Sequence, residues 1–190
     1  MMQRAMLLLL AASGLFAQEF KVGGKVADFG VNDPIGRPTK FSALRGDTTV
    51  VMFISVQCPI SNDYNQRIIA LYNDYSAKGA KFVFLNANVT ESPTQIIDHA
   101  NQVGFPFPVY RDPANVVADR FGASVTPESY VIDKAGVLLY HGAIDDARNP
   151  ARVTVKGLAQ ALDAVLAGAP VATSSTRAFG CTIKRVRKTT

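Results

Sequence analysis

Five consecutive apolar residues, Val50 to Ile54, stand out against turn-rich flanks. An apolar run without polar alternation predicts a strand covered on both faces, here Thr48–Ser55. Ile60, Tyr64, Ile68, Leu71, Tyr72 and Tyr75 follow at helical spacing. They predict one helix that opens at Pro59, where a missing N–H costs nothing, and stops at Lys78-Gly79. Lys81–Leu85 is a second buried strand. Ser92-Pro-Thr-Gln95 is a capping box, and it opens a helix that runs to Val103 and ends at Gly104. The prolines keep Phe105–Tyr110 extended, as a short strand. Asn115–Phe121 is a short helix stopped by Gly122. Ser129–Ile132 and Val137–Tyr140 flank the turn Asp133–Gly136 and form a hairpin. Arg152–Ala167 is the last helix, with Val155, Leu158, Leu162, Val165 and Leu166 as its apolar stripe. Near the start, apolar pieces at Val26–Val31 and Thr39–Leu44, between turn signals, predict a small β-hairpin.

Strand–helix–strand crossovers demand parallel pairing, and the late hairpin demands an antiparallel pair. The fold class is therefore α/β: a mixed central sheet with helices on both faces and an N-terminal β-hairpin extension. The order shows no internal repeat. Ala172–Thr176 reads as a linker. The chain divides into a leader at 1–17, a body at 18–170 and a tail at 171–190.

The leader is read from Arg4 followed by the apolar stretch Ala5–Phe16, with Ala17 as a small residue for cleavage. The run is short for a bilayer span; an uncleaved anchor is the alternative reading. Cleavage near Ala17 would export the body to the periplasm or the extracellular space, where disulfides persist.

The net charge of +5 comes from 20 basic and 15 acidic residues. Arg177, Lys184, Arg185, Arg187 and Lys188 all lie in the tail, which has no acid. Without those five and Arg4, the body is close to neutral. The tail reads as a solvated appendage whose charge would also suit an anionic surface. Nucleic-acid binding is not expected, because the body has no basic stripe with interleaved aromatics.

The candidate chemistry is sulfur. The chain has 2 cysteines. Cys58 sits where a buried strand feeds a helix. Helix N-termini present unpaired N–H groups and a partial positive charge, which favour the nucleophilic thiolate. The bland alternative is a small buried apolar side chain. Cys181 lies in the tail. It could resolve an intermediate on Cys58, close a static disulfide with it, or pair with another chain. Ser61 either bonds the Cys58 sulfur or bonds backbone at the helix start. Gln57 and Asn62 could touch substrate or could simply be exposed amides. His99 reads as a surface residue, and Asp145-Asp146 with Arg148 as a polar loop. A metal site built on Cys58, His141 and an acid would lack a second cysteine. No metal and no cofactor are predicted.

These residues resemble the thioredoxin-like superfamily and, within it, the redoxin branch of peroxiredoxins and exported thiol–disulfide oxidoreductases. The resemblance spans about residues 20–168. It rests on the strand–Cys58-Pro59–helix junction, on Val125-Thr126-Pro127 before Tyr130–Asp133, and on Gly136–Gly142. A bacterial redoxin subgroup is similar in carrying Cys58-Pro-Ile-Ser-Asn62, Ile144-Asp-Asp146 and the terminal Phe179-Gly-Cys-Thr-Ile-Lys184. The resemblance implies a cis Pro127 beside the active cysteine, with the backbone of Thr126 pairing with substrate. It implies a protein or small-molecule disulfide, or a peroxide, as substrate, and names no electron donor.

The departures matter as much. Ser61 stands where thioredoxins carry their second cysteine, and Gln57 where they carry tryptophan. Ser55 matches the peroxiredoxin hydroxyl, but Val51 replaces the proline of that motif, and the peroxiredoxin arginine is missing near Pro127. Two functions remain open. One is an exported oxidoreductase with Cys58 as nucleophile and Cys181 resolving. The other is a redox-silent binding module stapled by a Cys58–Cys181 disulfide.

Overall fold

The computed structural model describes residues 19–187. The expected leader, with its cleavage near Ala17, lies outside the described residues. In chain order the elements are β1 (Gly30–Asn32), β2 (Pro38–Lys40), β3 (Thr48–Phe53), α1 (Pro59–Asp63), α2 (Asn65–Ala77), β4 (Ala80–Asn86), α3 (Pro93–Val103), β5 (Val109–Arg111), α4 (Val116–Phe121), β6 (Val125–Thr126), β7 (Glu128–Ile132), β8 (Leu138–Gly142), α5 (Gly157–Leu166) and β9 (Cys181–Thr182).

Seven strands form one sheet in the order β2-β1-β5-β4-β3-β7-β8, while β6 and β9 form a separate two-stranded ladder. β3, β4 and β5 are parallel; β7 lies antiparallel to β3, and β8 to β7. The sheet is mixed and covered on both faces, as expected. The N-terminal hairpin joins it at the edge through Asn32 opposite Arg111.

The apolar run of β3 explains both layers. Side chains alternate across a sheet. Val50, Met52 and Ile54 meet Tyr64 at the α1–α2 break, Ile68 and Tyr75 of α2, and Leu158, Ala161 and Leu162 of α5. Val51 and Phe53 meet Val117, Ala118 and Phe121 of α4, with Phe29 and Phe41. Each fully buried side chain of this size contributes about 1.5–3 kcal/mol.

Three boundaries differ from the expectation. The helix after Cys58 is broken at Tyr64, whose N–H turns tightly onto the Ser61 carbonyl at 3.1 Å. The strand expected over Phe105–Tyr110 forms only at Val109–Arg111. Pro106 and Pro108 have no N–H to donate to a ladder. The last helix begins at Gly157 rather than Arg152. Asp146 holds the segment before it extended: its side chain accepts from Thr154 N at 2.9 Å and its N–H donates to Val155 O at 3.1 Å. Val155 is exposed and does not belong to the apolar stripe.

The largest correction concerns the tail. Instead of leaving the body as a solvated appendage, it lies along it. Thr176 N donates to His141 O (3.0 Å), and Ile183 N to Ser124 O (3.0 Å). Lys184 N donates to Asn88 Oδ1 (2.8 Å), and Val186 N to Asn115 Oδ1 (2.8 Å). Arg185 pairs with Asp119 at 2.9 Å. Ile183 is 3% exposed and joins the α4-side core. Gly142, at φ 151°, permits this docking: a Cβ there would lie 2.2 Å from Thr176 Oγ1.

Candidate thiol site

Strand β3 delivers the chain to the site. After Ile54 the backbone leaves the sheet and re-enters regular structure at Pro59, so Cys58 becomes the N-cap of α1, with φ −85° and ψ 113°. Its sulfur accepts from Ser61 N at 3.2 Å, the bond that an N-cap oxygen would otherwise make. An N–H aimed at sulfur stabilises negative charge that develops there. The sulfur also lies 3.4 Å from the Thr126 carbonyl oxygen, and Cys58 is 3% exposed.

Cys58 is joined to Cys181 by a disulfide, with their Cα atoms 5.7 Å apart. Of the options open from sequence, pairing within one chain is present, a geometry that the redox pair and the static bridge share. Thr126 faces Cys181 across the β6–β9 ladder, and Val125 faces Thr182. The Thr126-Pro127 peptide is cis. The structure thus brings Cys58, Cys181, Thr126 and Pro127 together.

Ser55 and Ser61 support the loop. Ser55 Oγ accepts from Cys58 N at 3.1 Å, and Ser61 Oγ accepts from Ser55 N at 3.1 Å. The Ser61 hydroxyl therefore serves backbone, while its N–H serves the sulfur. Asn62 Nδ2 donates to Val56 O at 2.9 Å, so it ties the loop rather than facing outward.

Sequence reasoning missed Glu91. It is 2% exposed, and its carboxylate accepts from Ser55 Oγ (2.5 Å), Val56 N (2.9 Å), Gln57 N (3.0 Å) and Asn86 Nδ2 (2.5 Å). One buried acid thus fixes the three residues before Cys58. Its only signal in the sequence is its place directly before the capping box at Ser92.

Behind Pro127, the buried Glu128 accepts from Ser124 N (2.8 Å), Val125 N (3.2 Å) and His141 Nε2 (2.5 Å). Burial pushes its carboxyl up, but these bonds outweigh burial and hold it below the usual range. His141 stacks on Tyr130, with ring centroids 4.6 Å apart. This pair anchors the proline loop.

Asp145 stands in the expected polar loop and is buried there, accepting from Tyr64 OH and pairing with Arg67, each at 2.7 Å. Burial, then the Asp145 carboxylate, push the Tyr64 hydroxyl up. His99 is half-buried against Phe105 rather than on the surface, and burial pushes its pKa down. A hollow of about 500 Å³ framed by Arg67, Asp74, Tyr75, Lys156 and Asp163 is lined by neither cysteine.

A disulfide flanked by an N–H donor and a cis-proline loop can exchange with an external thiol, which releases one sulfur as thiolate. Known proteins agree with this chemistry. The chain is 29% identical over 139 residues to the thiol-disulfide oxidoreductase ResA of Geobacillus thermodenitrificans, covering 69% of this chain and 79% of that one. It resembles the crystal structure of an uncharacterized conserved protein from Geobacillus kaustophilus, with a TM-score of 0.82 and 32% identity over 90% of this chain and 95% of that one. A putative thiol:disulfide interchange protein DsbE from Chlorobium tepidum shares the thioredoxin-like fold, with a TM-score of 0.65 and 24% identity over 78% of this chain and 99% of that one. Residues 22–141 match the AhpC/TSA family, well over half of the chain. With its redoxin fold and its sulfur site, the chain belongs to the AhpC/TSA family.

Proposed function

We propose that the protein is an exported thiol–disulfide oxidoreductase in which Cys58 is the attacking thiolate and Cys181 the resolving thiol. The observation that carries this reading is the Ser61 N–H aimed at the Cys58 sulfur, 3.2 Å away, beside a partner cysteine in disulfide bond. In the reduced state Cys58 attacks a disulfide sulfur of the substrate and expels its other half as a thiol. Cys181 then attacks Cys58, freeing the substrate cysteine and closing the internal disulfide. Two electrons pass to the substrate, and an external thiol must return them. A peroxide would enter the same cycle through a sulfenic acid on Cys58. Thr126 and Pro127 form the substrate wall; Ser55 and Ser61 position the loop. Export rests on the leader at 1–17, with the body at 18–170 as scaffold and the tail at 171–190 as bearer of the second thiol.

The test is thiol–disulfide exchange with a small aromatic disulfide. Cys58→Ser is expected to abolish it, and Cys181→Ser to leave the first step while trapping mixed disulfides on Cys58. Full turnover by Cys58→Ser would overturn the reading.

One observation favours a second reading, a redox-silent module with a structural staple: the tail is bonded to the body on both sides of Cys181. A reduction potential below about −300 mV would support the staple, and ready reduction near −200 mV would support the enzyme.

A further inference from the structure

The edge of Val125–Thr126 holds an extended cysteine peptide, and that peptide is the chain's own Phe179–Ile183. Each of its positions meets a distinct environment. Phe179 lies edge-on to Tyr64, with centroids 6.1 Å apart. A Cβ on Gly180 would lie 2.0 Å from the Thr126 carbonyl oxygen and 2.6 Å from its carbon, so any other residue must push that backbone away. Cys181 faces Thr126 and reaches Cys58. Thr182 points outward, and Ile183 enters the core. The displaced carbonyl would be the one 3.4 Å from the Cys58 sulfur, so a misfit before the cysteine disturbs the reacting atoms.

We propose that this slot is a sequence-selective site for extended cysteine segments of a partner protein. It requires glycine directly before the partner cysteine and favours an aromatic residue before that glycine and an aliphatic residue two after the cysteine. The chain's own tail is the resident competitor. The inference rests on the reading of Cys58 as nucleophile and adds to it the substrate class. In the step, the Cys58 thiolate bonds to the partner cysteine sulfur of a partner disulfide. The old S–S bond breaks, and its other sulfur leaves as thiolate and takes a proton from water. A ladder of two residue pairs gives little binding by itself, so selectivity falls on the steric fit at glycine and on the two apolar side chains.

The experiment uses the full chain carrying Cys181→Ser and two peptides, Phe-Gly-Cys-Thr-Ile and Phe-Ala-Cys-Thr-Ile. Each carries its cysteine as a mixed disulfide with a nitrothiobenzoate chromophore. Chromophore release gives the exchange rate, divided by the rate of the same peptide with glutathione. The glycine peptide is expected to react at least about tenfold faster, a difference of ~1.4 kcal/mol. Equal normalised rates, with Cys58 still reacting with free cystine, overturn the inference and leave the nucleophile reading intact. Failure of cystine itself to react overturns both. In the intact pair, Gly180→Ala is expected to lower the equilibrium constant for closing Cys58–Cys181 against glutathione by about tenfold, or ~30 mV. An unchanged constant would remove the steric basis. The peptide arm keeps Gly180 and stands even if that variant does not fold.

Discussion

Thr126 and Cys181 face one another across a ladder only two residues long, and Cys58 is bonded to the second of them while touching the carbonyl of the first. The nucleophile, the proline loop and the second thiol are therefore one unit. Tail anchors at Thr176 and at Ile183–Val186 hold it from both sides.

Opening the disulfide should free the Phe179–Ile183 stretch but not the end of the tail. In Cys181→Ser, hydrogen exchange at the Ile183 amide is expected to rise, while the Val186 amide stays protected because its acceptor, Asn115 Oδ1, is unaffected. Global stability should fall by about 4–5 kcal/mol, the chain-entropy contribution of a crosslink whose sequence separation is 123. Fast exchange at both amides would show that the disulfide alone holds the tail.

Glu91→Ala should be among the most damaging single changes. It leaves the N–H groups of Val56 and Gln57, the Ser55 hydroxyl and the Asn86 amide without their buried acceptor. A loss of about 3 kcal/mol is expected, read as a Tm lower by roughly 10 °C. The Cys58–Cys181 equilibrium should shift toward the reduced form as the loop before Cys58 loosens.

Ser61→Ala separates stability from reactivity. The Ser55 N–H loses its acceptor, at a cost of about 1–2 kcal/mol in denaturant. The Ser61 N–H still points at sulfur, so the pH profile of Cys58 alkylation should match that of the parent. A profile moved upward would show that the hydroxyl, not the amide, stabilises the thiolate.

His99 gives a pH dependence with a definite sign. Burial lowers its pKa from 6.5, so below about that value the unfolded chain binds the proton more readily than the fold does. Stability contributed by the neutral ring is present above pH 6.5 and is lost as pH falls below it. Urea midpoints measured between pH 5 and 7.5 should drop with acid in the parent and less in His99→Gln. Parallel curves would refute the assignment.

The order of elements and the mixed sheet were legible because their signals are local: an unbroken run at Val50–Ile54, a capping box at Ser92, a hairpin turn at Asp133–Gly136. The thiol site was half legible. Cys58 announces itself by its place at a strand–helix junction, while Pro127 entered through the resemblance to the redoxin branch. Glu91 does not, because a single acid in a turn carries no pattern that marks it as buried. The tail was illegible for the same reason. Its docking rests on one buried aliphatic residue, Ile183, and on backbone groups that bond Asn88, Asn115 and Ser124, and a basic run around a lone isoleucine reads as solvated. Val155 misled in the opposite direction: it fits the helical period, but Asp146 holds its backbone extended.

The β6–β9 ladder also bears on how the molecule partitions between monomer and dimer. The pairing that a tail makes with its own Val125–Thr126 edge is equally available on a neighbouring copy, and the disulfide would then cross between chains. Self-pairing competes with this at an effective concentration of roughly millimolar. Oxidative refolding at micromolar protein should yield closed monomers. At millimolar protein, covalent dimers with exchanged tails should accumulate, and they should persist after dilution until a reductant is added.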